Sequence, residues 1–206
     1  MKIIASDLSK RFGKEWVFKD FNFEFNANSA YAVTGANGSG KSTLLAILCG
    51  IMPPKSGQLQ YFLNDQPIEG DDVYKYIGFS APYMSIIEEF TLVEFLNFHF
   101  SFKKMIKGLS VADVIDKAYL TDAMDKPIKN FSSGMKQRVK LAQVFFSDTP
   151  VVFLDEPTSN LDVKGQEWYQ NHLKGILDQG RLIIIASNEP KEYAVCQEKI
   201  SLEEYK

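Results

Sequence analysis

The chain has 206 residues, 45% hydrophobic and 24% charged, with a formal net charge of -3. That length supports one domain with a real hydrophobic core, or one domain carrying a small lobe. The slight acidity speaks against a nucleic-acid binder held by phosphate contacts, and the longest apolar runs, such as Leu182 to Ala186, are too short to span a membrane.

In chain order, the charges in MKIIASDLSKRFGKEW come too early for a signal peptide. Lys2 to Ser6 reads as a short strand. FKDFNFEFN alternates, with Phe21, Phe23 and Phe25 on one face and Asn22, Glu24 and Asn26 on the other, which predicts a half-buried antiparallel strand. AYAVTG, a glycine-rich loop and KSTLLAILCG read as strand, loop and helix. QLQYFLNDQPI predicts a hairpin turning at Asn64-Asp65, and YKYIGFS another strand. From Thr91 to about Phe146 the pattern is helical, and Pro150 ends it. VVFLDE and RLIIIAS are short apolar strands of the kind buried inside a parallel sheet, with a helix DVKGQEWYQNHLKGILDQ between them. Strands alternating with helices predict an α/β fold around a mostly parallel central sheet. Residues 1–90 and 147–206 form its core, with an N-terminal antiparallel β subdomain, and about 91–146 form an inserted α-helical subdomain. Cys49 and Cys196 have no ligand-like neighbours and read as buried thiols in a reducing compartment.

GANGSGKST, Gly35 to Thr43, fits G-x-x-x-x-G-K-[ST] and stands between an apolar strand and a helix, the context that this motif requires. Gly38 and Gly40 permit positive φ, so that Gly35, Ala36, Asn37, Gly38, Ser39 and Gly40 can aim successive amides inward as an anion nest. The helix that follows adds its positive end. Lys41 is expected to reach the β and γ phosphates of a nucleotide, Ser42 to bind Mg²⁺, and Thr43 to touch the α phosphate. Asp155 closes a buried strand at the end where α/β sheets place ligands, and its carboxylate suits the same Mg²⁺. Glu156 is positioned to polarise an attacking water. No guanine-reading N-K-x-D sequence is present.

With these motifs the chain resembles the nucleotide-binding domain of ABC-type ATPases. GANGSGKST is similar to its Walker A, VVFLDEPTSNLD to its Walker B and D-loop, and FSSGMKQR, just upstream, to its LSGGQ signature. The resemblance covers essentially the whole chain. It implies a P-loop NTPase core that binds ATP and Mg²⁺. It also implies a head-to-tail dimer, with itself or a paralogous ATPase subunit, holding two ATP molecules between P-loop and signature. Ser132, Ser133, Gly134 and Met135 then meet the γ-phosphate on the partner, and Lys41 and Glu156 carry the catalysis. Phe12 falls where the family stacks an aromatic on adenine, with Trp16 as the second choice.

Four positions depart from the pattern. Pro82 occupies the place of a glutamine and has no side-chain oxygen to offer a metal. Asn188 stands for a histidine that touches the γ-phosphate. In the signature, Ser133 replaces a glycine and Met135 a glutamine. ATP binding is therefore expected to be intact and hydrolysis slow or dependent on a partner. His99 and His172 align with neither missing group.

The resemblance implies an ATPase subunit that works with a separate integral membrane transporter subunit, cytoplasmic and peripheral at the membrane's cytoplasmic face, without nucleic acid. The short length is similar to that of the small ATPase of haem-export systems. The competing readings are a soluble non-transport ABC ATPase and a slow-hydrolysing ATP sensor.

Overall fold

The computed structural model describes all 206 residues. Its centre is a five-stranded parallel sheet in the order β6-β7-β8-β3-β9, from β3 (Ala30–Thr34), β6 (Ile77–Ser80), β7 (Val151–Asp155), β8 (Leu182–Ala186) and β9 (Glu198–Ser201). Every residue of β7 and β8 is buried, as their unbroken apolar runs require. Alternate residues leave opposite faces of a strand. Val152, Leu154, Ile183 and Ile185 accordingly pack into one core. Val151, Phe153, Leu182 and Ile184 pack into the other. Each such side chain contributes about 1.5–3 kcal/mol by burial.

The second core lies under a four-stranded antiparallel sheet, ordered β2-β1-β4-β5, from β1 (Lys2–Phe12), β2 (Glu15–Phe25), β4 (Ser56–Leu63) and β5 (Gln66–Ile68). Helix α1 (Lys41–Leu48) joins that core, burying Leu44, Leu45, Ile47 and Leu48. The expected antiparallel strand is β2, with Phe21 and Phe25 fully buried. The expected hairpin is β4–β5, whose turn residues Asn64 and Asp65 both have positive φ.

The strand read as Lys2 to Ser6 runs on to Phe12. Register shifts break its pairing with β2 beyond Ala5, and Asp7 has a φ of 51. These irregularities are β-bulges, which interrupt the apolar alternation without ending the strand. They hide the extension from the sequence pattern. The strand read in YKYIGFS is shorter, because Gly70–Tyr76 forms 3-10 turns and pairing begins at Ile77. Strand β9 was not foreseen.

The helical region comprises α2 (Leu92–Phe102), α3 (Val111–Lys117) and α4 (Ser133–Phe145), linked by turns and short 3-10 segments. Thr91 and Ser110 close capping boxes at the first two. Phe95, Phe98, Phe100 and Phe102 surround α2 as a buried helix would have them, and Phe95 is buried. Phe98 and Phe102 are 45% and 70% exposed. Helix α5 (Val163–Asp178) covers the other sheet face through Trp168, Tyr169, Leu173 and Ile176. Cys49 is buried and Cys196 partly so.

Candidate active site

The glycine-rich loop leaves the carboxyl end of β3 and enters α1. Gly38 and Gly40 have φ of 79 and 104. A Cβ on Gly40 would stand 2.2 Å from Val17 Cγ1, so both backbone freedom and space demand glycine there. Lys41 is 5% exposed, and its ammonium folds back into the loop, donating to Gly35 O at 2.7 Å and Ala36 O at 3.2 Å.

A cleft of about 420 Å³ opens above the loop, lined by Phe12, Trp16, Asn37, Gly38, Gly40, Lys41, Ser42, Thr43 and Glu156, together with Glu15, Val17 and Lys206. The β1–β2 register supplies its aromatic side by pairing Arg11 with Trp16 and Phe12 with Glu15. Gly35, Ala36 and Ser39 of the same loop do not line it. Both aromatics considered for adenine therefore face the site, and both are exposed. A larger cleft of about 850 Å³ lies at the amino ends of β7 and β8, beside Pro150 and Arg181, and contains none of the motif residues.

Asp155 ends β7 and is 2% exposed, with Oδ1 buried and lacking any hydrogen-bond partner. Burial raises its pKa, while the Ser42 hydroxyl against it acts in the opposite direction. An unsatisfied buried carboxylate oxygen beside a hydroxyl is a donor set fit for a hard cation such as Mg²⁺. Glu156 follows with a φ of 40, while its amide still donates to Ala186 O at 2.9 Å. That left-handed backbone, strained for a glutamate, places Asp155 in the core and Glu156 in the cleft. Asn188 reaches the same loop, its Nδ2 donating to Asn37 Oδ1 at 2.8 Å.

Ser132, Ser133, Gly134 and Met135 open α4 and do not line this cleft. The Ser132 hydroxyl accepts from Met135 N at 3.2 Å, so it caps its own helix. The free hydroxyl expected at this helix end therefore belongs to Ser133, not Ser132. Gly134 has a different reason to be small: a Cβ there would meet Asn160 O at 2.9 Å. The basic residues of α4 are engaged within the chain. Lys136 pairs with Glu88 at 2.7 Å, Arg138 with Asp162 at 3.1 Å, and Lys140 donates to Pro82 O.

Four residues near these motifs escaped the sequence reading. Gln137 donates to Pro157 O at 2.7 Å, and the Glu192 carboxylate accepts from Thr158 N at 2.7 Å. Together they fix the segment after Glu156 against α4 and the sheet. Tyr83, next to Pro82, lies against Asp155, and burial first, then that charge, raises its phenol to about 12. Lys206 lines the cleft. Gln137 lies within FSSGMKQR; the other three belong to no motif, and only the fold brings them near. His99 bonds Ser147 Oγ at 3.0 Å and His172 stacks on Phe145, and neither lines the cleft.

The ABC transporter profile matches residues 18–159, more than half of the chain. The chain belongs to the ABC transporter family. It is 29% identical over 197 residues to the cytochrome c biogenesis ATP-binding export protein CcmA of Rhizobium meliloti (strain 1021), covering 94% of each. It is 31% identical to the ABC transporter ATP-binding protein YybJ of Bacillus subtilis (strain 168), over 90% of this chain and 85% of that one. Its fold matches an ABC transporter ATP-binding protein from Pyrococcus furiosus with a TM-score of 0.80 at 22% identity, over 100% of this chain and 99% of the other. It also matches the dimeric ATP-binding cassette MJ0796, solved with ADP and phosphate, with a TM-score of 0.83 at 21% identity, over 97% and 93%. The protein is thus an ABC-type ATPase of a transporter, in a family that binds and hydrolyses ATP. None of its helices is long and apolar enough to cross a membrane.

Proposed function

We propose that the protein is the ATP-hydrolysing subunit of an ABC transporter, closing head to tail on a second copy or a paralogue around two ATP molecules. It then drives a separate integral membrane subunit from the cytoplasmic face. The observation that carries this reading is the convergence of Lys41, Ser42 and Glu156 on one cleft, with the unpartnered Asp155 oxygen behind them.

In this reading the loop amides from Gly35 to Gly40 and the Lys41 ammonium hold the phosphate chain. Ser42 and Asp155 would hold Mg²⁺, which supplies positive charge to the phosphates during transfer. Glu156 orients and polarises the attacking water. Phe12 stacks on the adenine, with Trp16 beside it. Ser132, Ser133, Gly134 and Met135 present the start of α4 to the γ-phosphate on the partner subunit. Asn188, already bonded to Asn37, donates a hydrogen bond where a charge is usual. Together with Pro82 it makes turnover slow until a partner docks.

The membrane subunit docks beside the helical lobe. A groove of about 280 Å³ there is lined by Ile87, Phe95, Phe98 and Phe102, two of them largely exposed. The similarity to CcmA supports an export system for this chain.

Glu156→Gln tests the chemistry. It is expected to retain Mg-ATP binding and lose about a hundredfold or more in turnover, measured as phosphate release. Unchanged turnover would remove Glu156 from its role. Absence of any ATP hydrolysis by wild type, alone and with its membrane subunit, would favour the ATP sensor.

A further inference from the structure

The last segment of the chain is built into the nucleotide cleft. After β9, a 3-10 turn spans Leu202–Tyr205, and three contacts fix it. Leu202 is fully buried. The Tyr205 ring lies 4.8 Å from that of Phe21. Glu203 Oε1 accepts from Ala36 N at 3.2 Å, tying the turn to the phosphate loop itself. Lys206 is thereby held on the cleft wall, where its Nζ donates to Ser39 O at 2.9 Å.

Lys206 and Lys41 share an unusual situation. Both face the same cleft, neither has a carboxylate within ion-pair distance, and each bonds only carbonyl oxygens of the loop. An ammonium carries three donors, so Lys206 keeps two after bonding Ser39. Lys41 belongs to the phosphate-loop motif, whereas Lys206 belongs to no motif. Glu15 and Glu156 line the same cleft but pair with neither ammonium, so both lysines are left to meet a polyanion bound there.

We propose that Lys206 is a second nucleotide-binding cation, which contacts the phosphate chain together with Lys41. The turn Leu202–Tyr205 is then part of the nucleotide site, and Glu203 is its hinge pin on the loop. This rests on the ATP-binding reading above and adds a residue to it.

The test compares Mg-ATP affinity, by calorimetry, for wild type, Lys206→Gln and Lys206→Arg. Glutamine keeps a donor for Ser39 O without charge, and arginine keeps charge. Lys206→Gln is expected to bind about tenfold more weakly, as befits one charge-assisted contact, and Lys206→Arg within about threefold of wild type. Melting temperatures without nucleotide are expected to be equal. Lys206→Gln binding as tightly as wild type, Lys206→Arg no better than Lys206→Gln, or a lower melting temperature in both would overturn the assignment. Wild type failing to bind Mg-ATP would instead sink the nucleotide reading itself.

Discussion

The two ends of the catalytic surface differ in how far each is satisfied by its own chain. At the P-loop, polar groups are left wanting: Asp155 Oδ1 has no partner, Lys41 has only carbonyls, and Glu156 is held in a strained left-handed conformation. At the start of α4 every polar side chain but the Ser133 hydroxyl is engaged within the chain. Ser132 caps its own helix, Gly134 lies under Asn160 O, and Lys136 and Arg138 are paired with acids. Orphaned buried groups mark a place where a ligand completes the site. That helix end lies outside the cleft, and its Ser133 hydroxyl stays free. Within one chain the start of α4 does not reach the cleft that holds Lys41 and Glu156.

The largest expected effect separates them most sharply. Lys41→Ala is expected to weaken Mg-ATP binding about a hundredfold, read by calorimetry, because it removes a charged donor from the cleft. Full-strength binding in that variant would break the contrast at its stronger end.

Gly134→Ala acts on the other end. Its methyl would press on Asn160 O, so stability is expected to fall by about 1–3 kcal/mol in denaturant unfolding, while Mg-ATP affinity stays unchanged. A loss of nucleotide affinity in this variant would show that the two ends are not independent within one chain.

The smallest effect is a pH dependence confined to the helical lobe. Burial, with Lys103 nearby, depresses His99 to about 4. The unfolded chain then binds this proton first on acidification, near pH 6.5. Stability is therefore full above about pH 6.5 and falls progressively as pH drops towards 4. His99→Gln is expected to flatten this slope in denaturant melts taken across the window, with nucleotide affinity at pH 7.5 unaltered. An unchanged slope would place the titration elsewhere.

What the sequence made legible was local. The phosphate loop, the Asp155-Glu156 pair and the buried strands each depend on a short run of residues whose spacing mirrors backbone geometry. The extension of β1 through its bulges to Phe12 was not legible, because a bulge interrupts the alternation that identifies a strand. Exposure of Phe98 and Phe102 was equally hidden, since aromatics on every side of a helix look like core until the neighbouring elements are placed. Tyr83 and Lys206 reach the site only through strand order and a turn far along the chain. The second and third small residues of FSSGM illustrate a middle case. Their presence was noticed from sequence, but the close approach of Asn160 to Gly134 is a tertiary fact.

The central claim is that the start of α4 serves a nucleotide held by another subunit. It is tested most directly by the solution mass of Glu156→Gln with and without Mg-ATP. That change preserves shape while removing the group proposed to drive hydrolysis, so a closed pair should accumulate. The account predicts a monomer without nucleotide and a dimer with Mg-ATP. A monomer under both conditions, with ATP demonstrably bound, would contradict it.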